Sequence, residues 1–128
     1  QWEGDAAEAV PLLGLHRRGE AMVLAEADLA EHVMMQGYAG SIAFAGDGTE
    51  VAITSPRGGR LQRFASDGTF LGTVLRADLC GLAPYGEGYL GSDGFGALLA
   101  LKDDMRPLTA VPGLAWDNHL VALSARVA

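Results

Sequence analysis

At 128 residues the chain is long enough for one domain with a sizeable core, because a chain of this length buries about two thirds of its unfolded surface. Its net charge of −7 and its lack of a long apolar run argue against nucleic-acid binding and against insertion into a membrane. The single cysteine, Cys80, excludes an internal disulfide and a zinc site made of several cysteines. The chain begins at Gln1 without an initiator methionine or signal peptide, so we expect it to be a segment of a longer protein.

The first predicted element is a β-hairpin. Leu12 and Leu15 are followed by a turn at Arg17–Gly19 and by a strand at Ala21–Leu24. The spacing of these two leucines recurs in strands further along the chain. We therefore interpret this hairpin as the outer half of a repeat unit.

A short helix is predicted next. Asp28 would be its N-cap, with Glu31 three residues later, and Gly37 would be its stop signal. Leu29 and Val33 would share one face. A parallel βαβ fold needs such a helix after every strand, and only one is predicted here, so we interpret it as an insertion between two repeats.

Glycine-containing triplets then recur at a fixed interval. They are Gly46-Asp47-Gly48, Ser66-Asp67-Gly68 and Gly86-Glu87-Gly88, and their last glycines lie 20 residues apart. Each triplet is flanked by short runs of strand-forming residues, which is typical of hairpin connections. Two such hairpins span about 40 residues, the length of one four-stranded blade of a β-propeller.

Two complete blades follow from this interval. The predicted strands are Ser41–Ala45, Glu50–Ser55, Arg60–Ala65 and Phe70–Leu75 in the first, and Gly81–Pro84, Tyr89–Ser92, Ala97–Lys102 and Leu108–Val111 in the second. The segment from Trp116 to Leu123 fits the opening strand of another blade. We predict an all-β fold, a partial β-propeller of about two and a half four-stranded blades with one short inserted helix. Its single domain is divided into an outer half-blade (1–25), the helix and loop (26–38), full blades (39–77 and 78–113) and the opening strand of a further or closing blade (114–128).

One rim of this propeller is predicted to collect the unusual polar residues. Strand direction alternates, so the loops leading into each innermost strand lie with the loops between second and third strands. Four of the residues there are candidates for binding a ligand or partner: Arg57, Asp93, Cys80 and Trp116. Arg57, beside Pro56, could present its guanidinium to a carboxylate or phosphate, or be solvated in a demanding turn. Asp93 could instead cap its own turn, and Cys80 could be a small buried apolar residue.

The same rim carries the one candidate metal site. Asp117, Asn118 and His119 lead into the last predicted strand, and their side chains could hold a divalent metal or position a water molecule. At most two of three adjacent residues on a strand can point the same way. The alternative is structural, with Asp117 or Asn118 bonded to backbone amides and Trp116 plugging the channel. No other cofactor is predicted.

Several stretches resemble a known family. They are Trp2-Glu3-Gly4-Asp5, the run from Pro11 to Gly19, Gly40-Ser41-Ile42-Ala43-Phe44, Thr54-Ser55-Pro56-Arg57-Gly58-Gly59 and Trp116-Asp117-Asn118-His119-Leu120. They are similar to the C-terminal part of an uncharacterised bacterial family of domain-of-unknown-function β-propellers, often exported by the twin-arginine route. The family's genes lie beside imelysin-type iron-uptake genes and di-haem peroxidase-like genes. The resemblance implies a periplasmic accessory role in metal acquisition, and it supplies no catalytic residue.

Three functions remain open from the sequence. The leading hypothesis is a non-enzymatic periplasmic propeller that binds a protein partner or small ligand on the loop rim, accessory to iron uptake. The second is a metal-dependent enzyme of the lactonase or quinoprotein-like type, and the third is a purely structural scaffold. The expected partners are the remaining blades of the same protein or an oligomeric copy, and an iron-uptake protein, because free strand edges and apolar blade faces need covering.

Overall fold

Two four-stranded antiparallel sheets contain eight of the ten strands in the described part of the chain. The structure is a computed structural model that describes residues 1–5 and 8–123, so the end of the predicted segment 114–128 lies outside the described residues. In chain order the elements are β1 (Gly14–Leu15), β2 (Val23–Leu24), α1 (Leu29–Met34), β3 (Ser41–Phe44), β4 (Glu50–Ser55), β5 (Arg60–Ala65), β6 (Phe70–Leu75), β7 (Leu79–Tyr85), β8 (Gly88–Asp93), β9 (Ala97–Leu101) and β10 (Met105–Ala110). No helix within these ranges has the length and apolar character needed to cross a membrane.

Each large sheet is a meander. The first has the strand order β3-β4-β5-β6 and the second the order β7-β8-β9-β10, with all neighbours antiparallel. β1 and β2 form a separate two-stranded hairpin. The predicted all-β class, with two groups of four antiparallel strands, is therefore confirmed.

The glycine-containing triplets lie where the sequence predicted hairpins. Gly46-Asp47-Gly48 joins β3 to β4, Ser66-Asp67-Gly68 joins β5 to β6, and the third triplet joins β7 to β8. Gly48 and Gly68 have φ of 73° and 94°, a backbone region that strains any residue with a Cβ atom. These turns fix the register of the strands that they connect.

Strand β4 is buried along its whole length and separates two cores. On one face the Thr54 hydroxyl donates a hydrogen bond to the Cys80 carbonyl in the second sheet, at 2.6 Å. On the other face the Ser55 hydroxyl donates to the Met35 carbonyl just after helix α1, at 2.8 Å. The core between the sheets contains Ala45, Ala52, Leu61, Val74, Leu79, Leu82, Tyr89, Ala97, Leu99 and Leu101, and the core beneath the first sheet contains Leu13, Ala25, Met35, Val51, Ile53 and Phe64.

Helix α1 is shorter than the predicted segment 28–36 and lacks the predicted side-chain cap. It ends at Met34, because Gln36 and Gly37 have left-handed φ values of 52° and 65°. Asp28 precedes the helix as predicted, but its side chain makes no capping hydrogen bond. The Glu31 carboxylate turns instead towards the first sheet, where it accepts hydrogen bonds from side chains of β5 and β6.

The opening strand predicted from Trp116 to Leu123 is wrong. In the described part of the chain no strand follows β10, and residues 111–123 take an irregular path. A strand forms only where its backbone can pair with another strand. This segment lies against β7, with the carbonyl oxygens of Trp116 and Asp117 both 3.5 Å from the Cys80 Sγ.

Candidate ligand-binding site

The loops at one rim of the two sheets touch one another. The Arg76 N–H donates a hydrogen bond to the Gly59 carbonyl at 2.9 Å, which ties the end of β6 to the loop between β4 and β5. The Trp116 N–H donates to the Asp93 carbonyl at 3.3 Å, which ties residues after β10 to the loop between β8 and β9. We call this rim the mouth. It comprises residues 37–40, 56–59, 76–78, 93–96 and 111–119.

A cavity of about 390 Å³ opens at the mouth, and we call it the inner pocket. It lies where the first strands of the two sheets, β3 and β7, meet the segment after β10. Its walls are mainly aliphatic, with one imidazole and one hydroxyl, and they are formed by Leu12, Ala39, Gly40, Ser41, Ile42, Ile53, Leu82, His119, Leu120 and Val121. This volume is at the lower end of the range for small-ligand pockets, about 300–1,000 Å³.

Close approach of the chain after β10 to strand β7 forms one wall of the inner pocket. A Cβ atom at Gly81 would lie 3.0 Å from the Leu120 Cγ and 2.5 Å from the Ser92 Oγ. Any larger residue at this position would push Leu120 away from β7. The lack of a side chain at Gly81 therefore allows this wall to pack where it does.

Arg57 lies at the mouth with its side chain exposed. Its guanidinium carbon is 4.8 Å from the centroid of the Tyr38 ring, within the distance of a cation–π contact. The Asn118 amide donates a long hydrogen bond of 3.5 Å to the Tyr38 hydroxyl. The structure thus brings Arg57 and Asn118 to the same aromatic ring, and the next residue, His119, lines the inner pocket.

Asp93 is also at the mouth, but its side chain is fully buried. One carboxylate oxygen accepts hydrogen bonds from the backbone N–H groups of Phe95 and Ala97, both at 2.9 Å. The other accepts a hydrogen bond from the Arg76 Nε at 2.7 Å. Burial alone would raise the pKa of Asp93, but these donors outweigh it and lower that pKa. The carboxylate therefore holds the loop together, which is the turn-capping alternative considered for it.

Cys80 is 3% exposed and points at backbone carbonyl groups. Its Sγ lies 3.4 Å from the Ser92 carbonyl oxygen and 3.5 Å from those of Trp116 and Asp117. Burial raises the pKa of the thiol, so it is protonated at neutral pH. In this setting Cys80 acts as a small buried side chain rather than a nucleophile.

The four consecutive residues from Trp116 to His119 lie in different environments. The indole N–H of Trp116 is shielded from solvent and has no acceptor among the described residues. The exposed Asp117 accepts a hydrogen bond from the Asn118 N–H at 2.7 Å, while His119 faces the inner pocket. Within the described ranges, no three His, Cys, Asp or Glu side chains are grouped so that they could hold a metal ion. The metal site therefore stays a prediction.

Sequence reasoning missed Tyr38, Arg76 and the inner pocket itself. The signal for Tyr38 is its place in the loop before β3, because loops that lead into innermost strands are predicted to lie at the rim. No comparable signal marked Arg76, because its partner is 17 positions away in the sequence. The pocket walls come from five separate parts of the chain, so no local pattern predicts them.

The fold and the site define an all-β protein of four-stranded antiparallel sheets, with a mainly apolar pocket at one rim. A family model described as Protein of unknown function (DUF1513) matches residues 1–123, and the chain belongs to that family. The match agrees with the resemblance to a domain-of-unknown-function family. No curated protein and no solved structure matches the chain.

Proposed function

We propose that this protein is a non-enzymatic binding protein that holds a small ligand in the inner pocket. The observation that carries the proposal is the pocket itself, with its aliphatic walls and few polar groups. Such a cavity favours burial of an apolar ligand, since removing apolar surface from water contributes about 25 cal/mol per Å². The polar groups at its mouth would then orient the ligand.

We also propose that the two large sheets are neighbouring blades of a β-propeller. Each sheet is a four-stranded meander, and their first strands, β3 and β7, pack against each other. In a propeller the first strands of the blades line a central channel, so the inner pocket would open onto that channel. An experimental structure of the full-length protein tests this: β3 and β7 should line one common channel. Sheets stacked face to face without a shared axis would refute it.

The periplasmic location and the accessory role in iron uptake are proposed on the resemblance. They predict that the full-length protein is found in the periplasmic fraction and is recovered with the product of a neighbouring imelysin-type gene. Recovery from the cytoplasm, or failure to bind that gene product when both are pure, would refute them.

Ligand binding can be tested by filling the inner pocket. Ile42 lines the pocket, and its side chain is 59% exposed, so Ile42→Trp adds volume there without disturbing the core. Phe44 lies on the same strand, is 56% exposed and is outside the pocket lining, which makes Phe44→Trp the matched control. Binding of octanoate, 1-octanol and octylamine is followed by backbone amide shifts in NMR spectra.

At least one of these probes should shift the signals of Gly40, Leu82 and Leu120, which surround the inner pocket. Ile42→Trp should weaken that binding by about tenfold or more, whereas Phe44→Trp should leave it unchanged. If no probe shifts these signals, or if both variants bind equally well, the protein does not use this pocket and the proposal fails.

A further inference from the structure

We infer that the ligand of the inner pocket is a small apolar monocarboxylate, with its carboxylate bound by Arg57 at the mouth. This inference rests on the proposed function and adds the chemical class of the ligand. Its apolar body would lie between β3, β7 and the segment after β10. Arg57 would then act as the residue that selects the ligand by charge.

The first argument is that Arg57 has no acidic partner within residues 1–5 and 8–123. Four other cationic side chains form ion pairs, Arg60 with Glu31, Arg63 with Glu50, Arg76 with Asp93 and Lys102 with Asp47. Among the described residues Arg17, Arg18 and Arg106 are exposed without an ion pair as well, but they lie away from the mouth. In the part of the chain that the structure describes, no N–H group of Arg57 donates a hydrogen bond and no carboxylate pairs with it. Its guanidinium makes a cation–π contact with the Tyr38 ring. In a protein with a net charge of −7, a cationic group left unpaired beside a pocket favours an anionic ligand.

The second argument is that Arg57 is held in place. The guanidinium carbon lies 4.8 Å from the centroid of the Tyr38 ring, and the two parallel N–H donors of a guanidinium match the two oxygens of a carboxylate. The loop that carries Arg57 is attached to the residues after helix α1. The Ser55 hydroxyl accepts a hydrogen bond from the Gly58 N–H at 3.0 Å and donates one to the Met35 carbonyl. A group already in position loses little conformational freedom when it binds.

The third argument is continuity between Arg57 and the inner pocket. Gly40 lines the pocket, and a Cβ atom on it would lie 3.0 Å from the Pro56 Cδ and 3.3 Å from the Tyr38 ring. Gly40 therefore sits between the pocket and the residues that flank and support Arg57. On the other side, Asn118 contacts the same ring and precedes the pocket residue His119.

Other ligand charges fit this arrangement less well. No lining residue of the inner pocket is acidic, so a cationic ligand would find no partner there. Asp117 is the carboxylate nearest in sequence to the pocket residue His119, and it accepts a hydrogen bond from the Asn118 N–H. A neutral apolar ligand would cover Arg57 without replacing its lost contacts with water, which costs free energy. A monocarboxylate would place its apolar body against the aliphatic walls and its carboxylate on Arg57, whose charge is not used in an ion pair among the described residues.

The test compares octanoate, 1-octanol and octylamine, which differ only at the polar end, by calorimetry and NMR at neutral pH. Octanoate should bind at least about tenfold tighter than 1-octanol, because a hydrogen bond between the guanidinium and a carboxylate is stronger than one to a neutral hydroxyl. Arg57→Met should reduce octanoate binding to the level of 1-octanol and leave 1-octanol binding unchanged. Arg57→Lys keeps the charge but loses the paired donors, so its effect should be intermediate.

Arg106→Met is the matched control, because Arg106 is an exposed arginine beside a cavity at the opposite rim. It should bind octanoate as the unaltered protein does, and the melting temperatures of both methionine variants should be unchanged. If 1-octanol binds in the pocket as tightly as octanoate, or if Arg57→Met binds octanoate normally, the ligand class is refuted while the proposed function stands. If none of the three probes binds, both are refuted.

Discussion

Replacing Asp93 by alanine should lower the free energy of unfolding by about 3–6 kcal/mol. The buried Ala97 N–H would lose its acceptor, which costs about 1–3 kcal/mol, and the partly buried Phe95 N–H about 1 kcal/mol. Loss of the ion pair with Arg76 adds about 1–2 kcal/mol, less than for a fully buried pair because the Arg76 side chain is 30% exposed. The loop between β8 and β9 would lose its main internal support.

Asp93→Asn separates these contributions. Asparagine keeps one oxygen that can accept hydrogen bonds from both backbone N–H groups, but its NH2 group cannot accept the hydrogen bond from Arg76, so the charge and that one bond are lost. We expect it to cost about 1–2 kcal/mol. Asp104→Ala removes an exposed carboxylate at the opposite rim and should change stability by less than about 0.5 kcal/mol. Urea unfolding measures all three, with stability compared through the midpoints where the slopes agree.

The pH dependence has a definite sign. The pKa of Asp93 is lowered in the folded protein, so the stabilisation by its carboxylate is fully present above the unfolded pKa of about 3.9. It is lost as the pH falls through the lower, folded value. The difference between the unaltered protein and Asp93→Asn should therefore be constant near neutral pH and shrink below about pH 4. A difference that does not change with pH, or an asparagine variant as unstable as the alanine variant, would contradict this account.

Three further predictions concern other parts of the molecule. The N–H and hydroxyl of Thr49 and the ammonium of Lys102 lower the pKa of Asp47 to about 2, so NMR titration should find that value, and Lys102→Met should raise it. Cys80 should react with a thiol reagent only as fast as the native protein opens, because its thiol is buried and protonated; rapid labelling of the folded protein would contradict this. Gly46→Ala should lower stability by about 1–3 kcal/mol in thermal unfolding, since its Cβ atom would overlap a backbone oxygen of the turn between β7 and β8; an unchanged melting temperature would contradict this.

Local signals were enough to predict the strands. The bounds of β4, β5 and β6 coincide with the predicted Glu50–Ser55, Arg60–Ala65 and Phe70–Leu75. Glycines in left-handed turns fix both the ends of these strands and their register, so the information lies within a few residues of each turn. The segment from Trp116 to Leu123 carries a similar alternation of residues but forms no strand. Whether a segment pairs depends on a free neighbouring edge, and that is not a local property.

The site was harder to predict because charge partners are distant in sequence. Arg57 and Asp93 occupy equivalent glycine-rich loops, and the sequence gives no reason to treat them differently. In the folded chain Asp93 meets Arg76 at the end of β6, whereas Arg57 meets the neutral ring of Tyr38. One charge is therefore used to hold the fold, and the other has no ion-pair partner among the residues that the structure describes.

The rim opposite the mouth explains why the mouth can keep an unpaired charge. There, the Lys102 ammonium pairs with Asp47 at 2.9 Å and the Arg63 guanidinium pairs with Asp103 at 2.7 Å, so charged groups join the turns of the two sheets. The Gly46 N–H also donates to a carbonyl group of the second sheet. The opposite rim and the core between the sheets fix the two sheets, and at the mouth the ion pair between Arg76 and Asp93 holds the adjoining loops, so Arg57 is not needed to hold the walls of the inner pocket. A ligand bound there meets a preformed site, so less of its binding free energy is spent on ordering the protein.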